Sequence, residues 1–426
     1  MPPGAMRPAF NSNSSLHVST INWQDPPSPI DRDRCRREIQ MSNYDAIVLG
    51  TGGVGSAALF HLARRGSRVL GLDRFPAGHD QGSSHGATRL IRQAYYEHPD
   101  YVPLLKRAYP LWEELEQLCQ QPLYHQSGII EVGPADGELV RGILATASEH
   151  DLPIELLDAD ETEKRWPGFR VPADYQVVFE QRSGFLMVED CVRAHLKLAQ
   201  AQGAEVQFNQ VIRSWQADGD SYRVQTESDV FHADRLIITM GSWAGPMLLE
   251  LGLQFKVLKK PLHWYRAERS LYHQEQGCPC FFYEIPEGHF YGFPAIGDGD
   301  LKVALHSGGD EVTDPLHVDR TLDRQEQEVV ETFLANYLPS VNREATGHAV
   351  CMYTMAADRF FVVDRLAEHT GVVIAAGLSG HGFKFTSVLG ETLAQLALDG
   401  SSALPIDFLS IQNALARQRQ ADTEKR

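Results

Sequence analysis

Three glycines at a fixed spacing, one acid downstream of them and one isolated cysteine are the places where residue type and position could do chemistry. In "YDAIVLGTGGVGSAALFHLARRGSRVLGLD", Gly50, Gly52 and Gly55 stand in the order G-x-G-x-x-G directly after a short apolar run. A helical pattern follows (Val54, Ala58, Leu62), then Gly66, then a second apolar run that ends at Asp73. That context predicts a strand–turn–helix–strand unit that cradles a dinucleotide. Gly50 allows the tight turn, Gly52 lets a pyrophosphate approach the backbone, and Gly55 lets helix and strand pack closely, while the phosphates rest on the helix N-terminus. Asp73 is expected to take the ribose hydroxyls. An acid at that place disfavours a 2′-phosphate, which leaves NAD or FAD. The cysteine is Cys351, in "HAVCMYTMAADRFFVVD". A free cysteine often only fills space in a core, and its thiolate is also a nucleophile, so both readings stand at this point.

The elements that position these residues come from several parts of the chain. After Asp73 comes "GSSHGATRLIRQAYYEHPDYVPLL", which is polar, Gly-rich and basic. A nicotinamide enzyme of this type would continue with regular βαβ units, so a ligand-facing loop here argues for FAD. A helix is expected from about Tyr101 to Cys119, with Val102, Leu105, Tyr109, Trp112 and Leu115 on its core face. Residues 126–180 and 255–345 are rich in short strand-like runs between turn signals such as "EVGPADG" and "AIGDGD", which suggests a mixed sheet. Another helix is expected from Cys191 to Gln202. "RLIITMGSWAG" (235–245) and "GVVIAAGLSGHGFKFTSVLGETLAQLAL" both read as a strand running into a Gly-rich turn.

The expected architecture is therefore α/β. A discontinuous Rossmann-like FAD-binding domain (41–125, 185–250 and 345–400) carries an inserted α+β substrate domain on a mixed sheet (126–184 and 251–344). Residues 1–40, rich in Pro, Asn, Ser and charge, are expected not to fold, or to reflect a start misassigned upstream of Met41. Residues 401–426 are expected to form a charged tail, frayed after about 410. The net charge of −17 disfavours nucleic acid and anionic membrane as partners, and no run approaches the length of a membrane span. Six cysteines without a pairing framework point to a reducing compartment, the cytoplasm. The pair "CPC" at 278–280 lacks the further ligands that zinc requires.

Four blocks, "GSSHGATRLIR", "YGFPAIGDGDLKVALH", "CMYT" and "GLSGHGFKFTSVLGE", resemble those of the monomeric sarcosine oxidase and N-methyltryptophan oxidase family of flavin amine oxidases. They occur in the same order from about Tyr44 to about Ala397. The resemblance implies FAD linked through its 8α-methyl group to the sulfur of Cys351, which matches the cysteine of the C-x-Y block. It implies that Arg92 and Lys384 grip a substrate carboxylate, and an Arg fork suits that task. It also implies that His85 and Arg89 lie close to the flavin ring, that Tyr291, His306 and Tyr353 line the substrate cavity, and that Lys302 promotes reaction with oxygen. The family often has Asp before the Thr of the "TR" step, where this chain has Ala87. The implied activity is oxidative demethylation of an N-methyl amino acid, N-methyltryptophan- or sarcosine-like, by a monomer using oxygen and yielding the amino acid, formaldehyde and hydrogen peroxide. "SGIIEVGPAD", "RWPGFRVP" and "WYRAE" look closer to the N-methyltryptophan branch. A flavin-dependent dehydrogenase, a D-amino-acid oxidase and a non-enzymatic flavin-binding module are the alternatives.

Overall fold

Strand β1 (Ala46–Leu49), helix α1 (Gly53–Arg64) and strand β2 (Val69–Leu72) open the computed structural model, which describes residues 44–424. The expectation for residues 1–40 lies outside them. Both strands are apolar and buried throughout, as strands covered on both faces must be. They pair in parallel within a six-stranded sheet. Its order is Val362–Arg365, Val372–Ala376, Leu236–Ile238, β1, β2, Glu205–Gln207. Only the edge strand Val362–Arg365 runs antiparallel to its neighbour. α1 is buried from Gly53 to Ala63 because the helices Val188–Ala201 and Thr386–Asp399 flank it. Three stretches far apart in sequence thus build one nucleotide-type sheet.

A second, eight-stranded sheet has the order Val341–Ala356, Phe255–Ala267, Leu301–Leu305, Gly288–Phe293, Cys280–Ile285, Ile129–Pro134, Tyr175–Glu180, Glu155–Leu157. Its pairs are antiparallel except Cys280–Ile285 with Ile129–Pro134, so the expected α/β fold with a mixed sheet is what forms. Side chains alternate across it. Phe281, Tyr283, Phe290, Leu301 and Val303 join a cluster with Phe333 of the helix Arg324–Tyr337, and the Phe290 and Phe333 rings stack at 4.4 Å. Cys280, Phe282, Tyr291, Phe293, Ala304 and Cys351 belong to a separate cluster. The first face is structural packing. The second carries the residues with chemistry.

Two expectations need correction. Residues after about 410 do not fray: Ile411–Glu424 is a helix. Ile411, Ala414 and Leu415, at helical spacing, pack against the edge of the six-stranded sheet, and Arg417 is paired with Asp358. The charged composition hid that narrow apolar stripe. The helix expected to start at Cys191 begins at Val188, with Glu189 and Asp190 in its first turn, where acids complement the helix dipole. Among the described residues no helix is long and apolar enough to cross a membrane.

Candidate active site

The turn between β1 and α1 is fixed by contacts only glycine permits. Gly50 has φ +86°, and a Cβ on Gly55 would lie 1.8 Å from the Gly50 carbonyl oxygen. Asp73, at the end of β2, accepts from Thr51 N at 2.6 Å, Thr51 Oγ1 at 3.1 Å and Phe75 N at 2.9 Å. Its carboxylate therefore ties the glycine turn to β2 while also lining the cavity beside it.

That cavity has a volume of about 440 Å³ and runs between the two sheets. Gly50, Gly52 and Asp73 line it, as do Arg89, Arg92, Tyr291, His306, Tyr353 and Lys384. Gly55, His85, Lys302 and Cys351 are buried behind the wall. Register explains the grouping: Phe293 pairs with Lys302 and Tyr291 with Ala304, so Lys302 and Ala304, and His306 beyond them, fall on the face that carries Tyr291 and Phe293.

One group of side chains centres on Arg89. Its Nη2 donates to Cys351 Sγ at 3.1 Å and to Ser83 O at 3.0 Å, and Nη1 donates to Thr88 O at 2.9 Å. Lys302 Nζ donates to Gly86 O at 2.6 Å and Thr88 O at 2.8 Å and lies 4.6 Å from the centre of the Phe293 ring. Burial, then the charge of Arg89, pushes the Lys302 ammonium well below its ordinary pKa. His85 is pushed down to about 3 by burial and by Arg89, and among the described residues its Nε2 has no hydrogen-bond partner. Ala87 sits at φ +66°, where Asp or Asn is tolerated better than Ala. Glu189 holds this turn by accepting from Gly86 N at 2.7 Å and Ala87 N at 3.2 Å.

A second group closes the other end. His306 Nδ1 lies 3.2 Å from Tyr353 OH, and its ring meets those of Tyr291 and Phe282 edge-on at 6.1 and 5.8 Å. Burial keeps His306 neutral, well below its ordinary pKa. Lys260 Nζ donates to His306 O at 2.7 Å and Ser307 O at 2.8 Å and lies 5.1 Å from the Tyr353 ring centre. Phe282 and Lys260 are absent from the sequence reading, since neither belongs to a recognisable motif.

Arg92 is more occupied than its expected role suggests. Both Glu97 oxygens accept from its Nη2 at 2.9 Å, Ala94 O accepts from Nη1 at 3.2 Å, and Glu131 lies 3.5 Å from Nε. Glu131 is fully buried, and burial raises its carboxyl to about 8 despite Arg92, so it is protonated at neutral pH. Glu180 accepts from Gln93 N and Ala94 N at 3.0 Å. Neither buried acid was singled out in the sequence, although an acid inside an apolar strand run ("GIIEVG", "VVFEQ") is a usable signal. Lys384 Nζ donates to His381 O at 2.8 Å and, among the described residues, is in no ion pair with an acid. Burial, then Arg92, pushes Lys384 down to about 7.

The arrangement fits an elongated dinucleotide: the Gly50–Gly55 turn and the α1 N-terminus would hold its pyrophosphate, and the cavity continues from there to Arg89 and Tyr353. Trp243 Nε1, in a residue lining the same cavity, is a further buried donor with no partner among the described residues. The comparisons agree. Residues 45–396 match the family model described as "DAO: FAD dependent oxidoreductase". The chain is 38% identical to the monomeric sarcosine oxidase of Bacillus sp. (strain B-0618), covering 88% of this chain and 98% of that protein. It is also 38% identical to the N-methyl-L-tryptophan oxidase of Citrobacter koseri, covering 85% and 97%. The open form of NikD, described as an unusual amino acid oxidase essential for nikkomycin biosynthesis, superposes with a TM-score of 0.77 at 26% identity over 87% of this chain and 97% of NikD. A glycine turn locked to an acid, a cavity spanning two sheets and identity of this extent lead to one conclusion: the chain belongs to the FAD-dependent oxidoreductases of the DAO family, among the relatives of monomeric sarcosine oxidase and N-methyltryptophan oxidase.

Proposed function

We propose that the protein oxidises the C–N bond of an N-methyl amino acid, with FAD held covalently through Cys351. The observation that carries this reading is the pair of buried cations, Arg92 and Lys384, at the aromatic end of a cavity that begins at the dinucleotide turn. Arg92 is already met by Glu97, but Lys384 bonds only a backbone carbonyl among the described residues, and a buried ammonium facing a cavity is stabilised by an arriving anion. The substrate carboxylate would pair with Lys384 and Arg92, which points its methylamino group toward Tyr291, His306 and Tyr353. Neutral His306 and the two phenols supply hydrogen bonds without a competing charge. FAD, when bound, supplies the two-electron acceptor. Water would then hydrolyse the resulting imine to the amino acid and formaldehyde, and oxygen would take up the two electrons removed from the amine, with two protons, and leave as hydrogen peroxide.

Three further residues support the cofactor end. Arg89 donates to the Cys351 sulfur, and Lys302 places its amine behind the Gly86–Thr88 turn, where in its protonated form it would stabilise negative charge growing on oxygen. His85 adds a neutral imidazole near the same turn. A monomer acting in the cytoplasm suits a chain whose described cysteines are all free. The test is hydrogen peroxide release from purified holoenzyme over a panel of N-methyl amino acids that includes sarcosine and N-methyl-L-tryptophan. Turnover that needs an artificial electron acceptor and yields no peroxide would instead place the protein among dehydrogenases. Turnover of primary D-amino acids alone would also overturn the reading.

A further inference from the structure

Arg92 and Lys384 reach the cavity from unrelated segments, the stretch after strand Thr88–Ile91 and the loop after strand Val372–Ala376. Two like charges side by side repel, so something must hold both segments in place. One ring meets both cations. The Tyr95 ring centre lies 4.7 Å from Arg92 Cζ and 5.1 Å from Lys384 Nζ, within the range where an aromatic face attracts a cation.

The hydroxyl of the same tyrosine hydrogen bonds His381 Nδ1. His381 Nε2 lies 3.1 Å from Arg359 O, and a carbonyl only accepts, so Nε2 carries the proton. Nδ1 is then an acceptor, and Tyr95 donates to it. The backbone oxygen of His381 in turn accepts from Lys384 Nζ at 2.8 Å. Burial pushes His381 down to about 4, so the ring keeps this acceptor across the working pH range. Tyr95 itself is fully buried and braced: Thr146 Oγ1 donates to its carbonyl at 2.9 Å, and the Tyr101 and Phe385 rings pack against it at 5.3 and 5.4 Å.

We propose that Tyr95 and His381 form a single positioning unit that fixes Arg92 and Lys384 relative to one another and thereby sets affinity for the substrate carboxylate. Tyr95 does not line the cavity and His381 does; the role proposed for both is to position the two cations. The inference rests on the carboxylate-binding reading given above. It adds that this affinity depends on a neutral Tyr–His hydrogen bond between two loops, and that the Tyr95 ring matters separately from its hydroxyl.

The test uses holoenzyme and two matched probes, methoxyacetate, which replaces the amine of sarcosine by an ether, and its uncharged amide, methoxyacetamide. Binding is followed by the change in visible flavin absorbance. Wild type is expected to prefer the anion. Tyr95→Phe keeps the ring and loses the hydroxyl, and should raise the Kd of methoxyacetate about tenfold, as loss of one buried hydrogen bond does. Tyr95→Leu should raise it further. Methoxyacetamide should bind all variants alike, and kcat at saturating substrate should change less than KM. His381→Gln, which retains an acceptor near Nδ1, should recover part of the affinity that His381→Leu loses, and it carries the test if Tyr95→Leu does not fold. A wild type with no preference for the anion would overturn the carboxylate reading, and this inference with it. A wild type that prefers the anion, with variants that keep the full preference or lose both probes equally, would overturn this inference alone.

Discussion

Carboxylate binding should weaken steeply above neutral pH, because Lys384, the cation of the pair that no acid engages among the described residues, is one whose charge the fold has made precarious. Burial, then Arg92, brings Lys384 to about 7, while Glu97 and Glu131 pull the other way. A lysine lowered in this manner is charged below that value and neutral above it. Affinity that depends on the charge is therefore present at pH 6 and lost as pH rises through 7. With a pKa of about 7, roughly 90% of the free protein carries the charge at pH 6 and about 1% at pH 9, a difference of about 90-fold, or ~2.7 kcal/mol. Glu131, raised to about 8 chiefly by burial, becomes negative within the same window and adds to the loss. His381 stays neutral at about 4, Tyr95 is raised well above its ordinary value by burial, and Arg92 keeps its charge, so none of these titrates there. Methoxyacetate is ionised throughout, which leaves only the protein to change. Its Kd, measured by flavin absorbance between pH 6 and 9, should rise by one to two decades. Lys384→Arg should leave only a shallower step near pH 8, and adding Glu131→Gln should flatten the profile. A Lys384→Arg variant with the wild-type slope would refute the reasoning.

Three other perturbations have definite expected outcomes. Glu131→Gln should stabilise the protein increasingly as pH rises from 4.5 to about 8, because wild-type folded protein holds a proton that the unfolded chain has released. The full rise corresponds to at most ~5 kcal/mol, and denaturant titrations of both proteins at pH 5 and 8 check it. Lys302→Met should slow the reaction of reduced enzyme with oxygen by about 10²-fold while substrate-driven reduction changes far less, as stopped-flow measurement of the two half-reactions will tell; an unchanged oxygen step leaves Lys302 as a tether for the Gly86–Thr88 carbonyls. Cys351→Ser should release its flavin on acid denaturation, whereas the wild-type polypeptide stays yellow and fluorescent on a gel.

What sequence made legible was whatever lies in consecutive residues. Gly50, Gly52, Gly55 and Asp73 occupy one strand–turn–helix–strand unit, so their spacing carries their geometry. The face shared by Lys302 and His306 follows in the same way from the even spacing of a strand. The helix at Ile411–Glu424 was illegible because its stripe is three residues wide amid charge. The surroundings of Arg92 were illegible for a different reason. Glu131 and Glu180 reach it from two neighbouring strands of the second sheet, in which Glu131 is paired with Val178 and Glu180 with Ile129. Their parity along each strand places both on the cavity side, yet only the pairing of strands distant in sequence puts them near position 92.

That hidden ring of acids decides how the site can take an anion. Arg92 has little donor capacity to spare while Glu97 holds its Nη2, Ala94 O its Nη1 and Glu131 faces its Nε. An arriving carboxylate therefore meets Lys384 without a competing acid among the described residues, and gains the Arg92 Nη2 by taking the place of Glu97, the one acid of the three that is not fully buried. Protonated Glu131 and backbone-capped Glu180 cannot swing away, because each sits in a sheet strand packed on both faces. Exchange at Glu97 swaps one carboxylate for another around the same guanidinium, so the gain per contact is small and selectivity depends on what else the anion touches. Glu97→Gln should accordingly tighten methoxyacetate, by about tenfold for the loss of a competing charge-assisted bond, and should leave methoxyacetamide unaffected. Weaker anion binding in that variant would mean that Glu97 holds Arg92 in place for the ligand and does not compete with it.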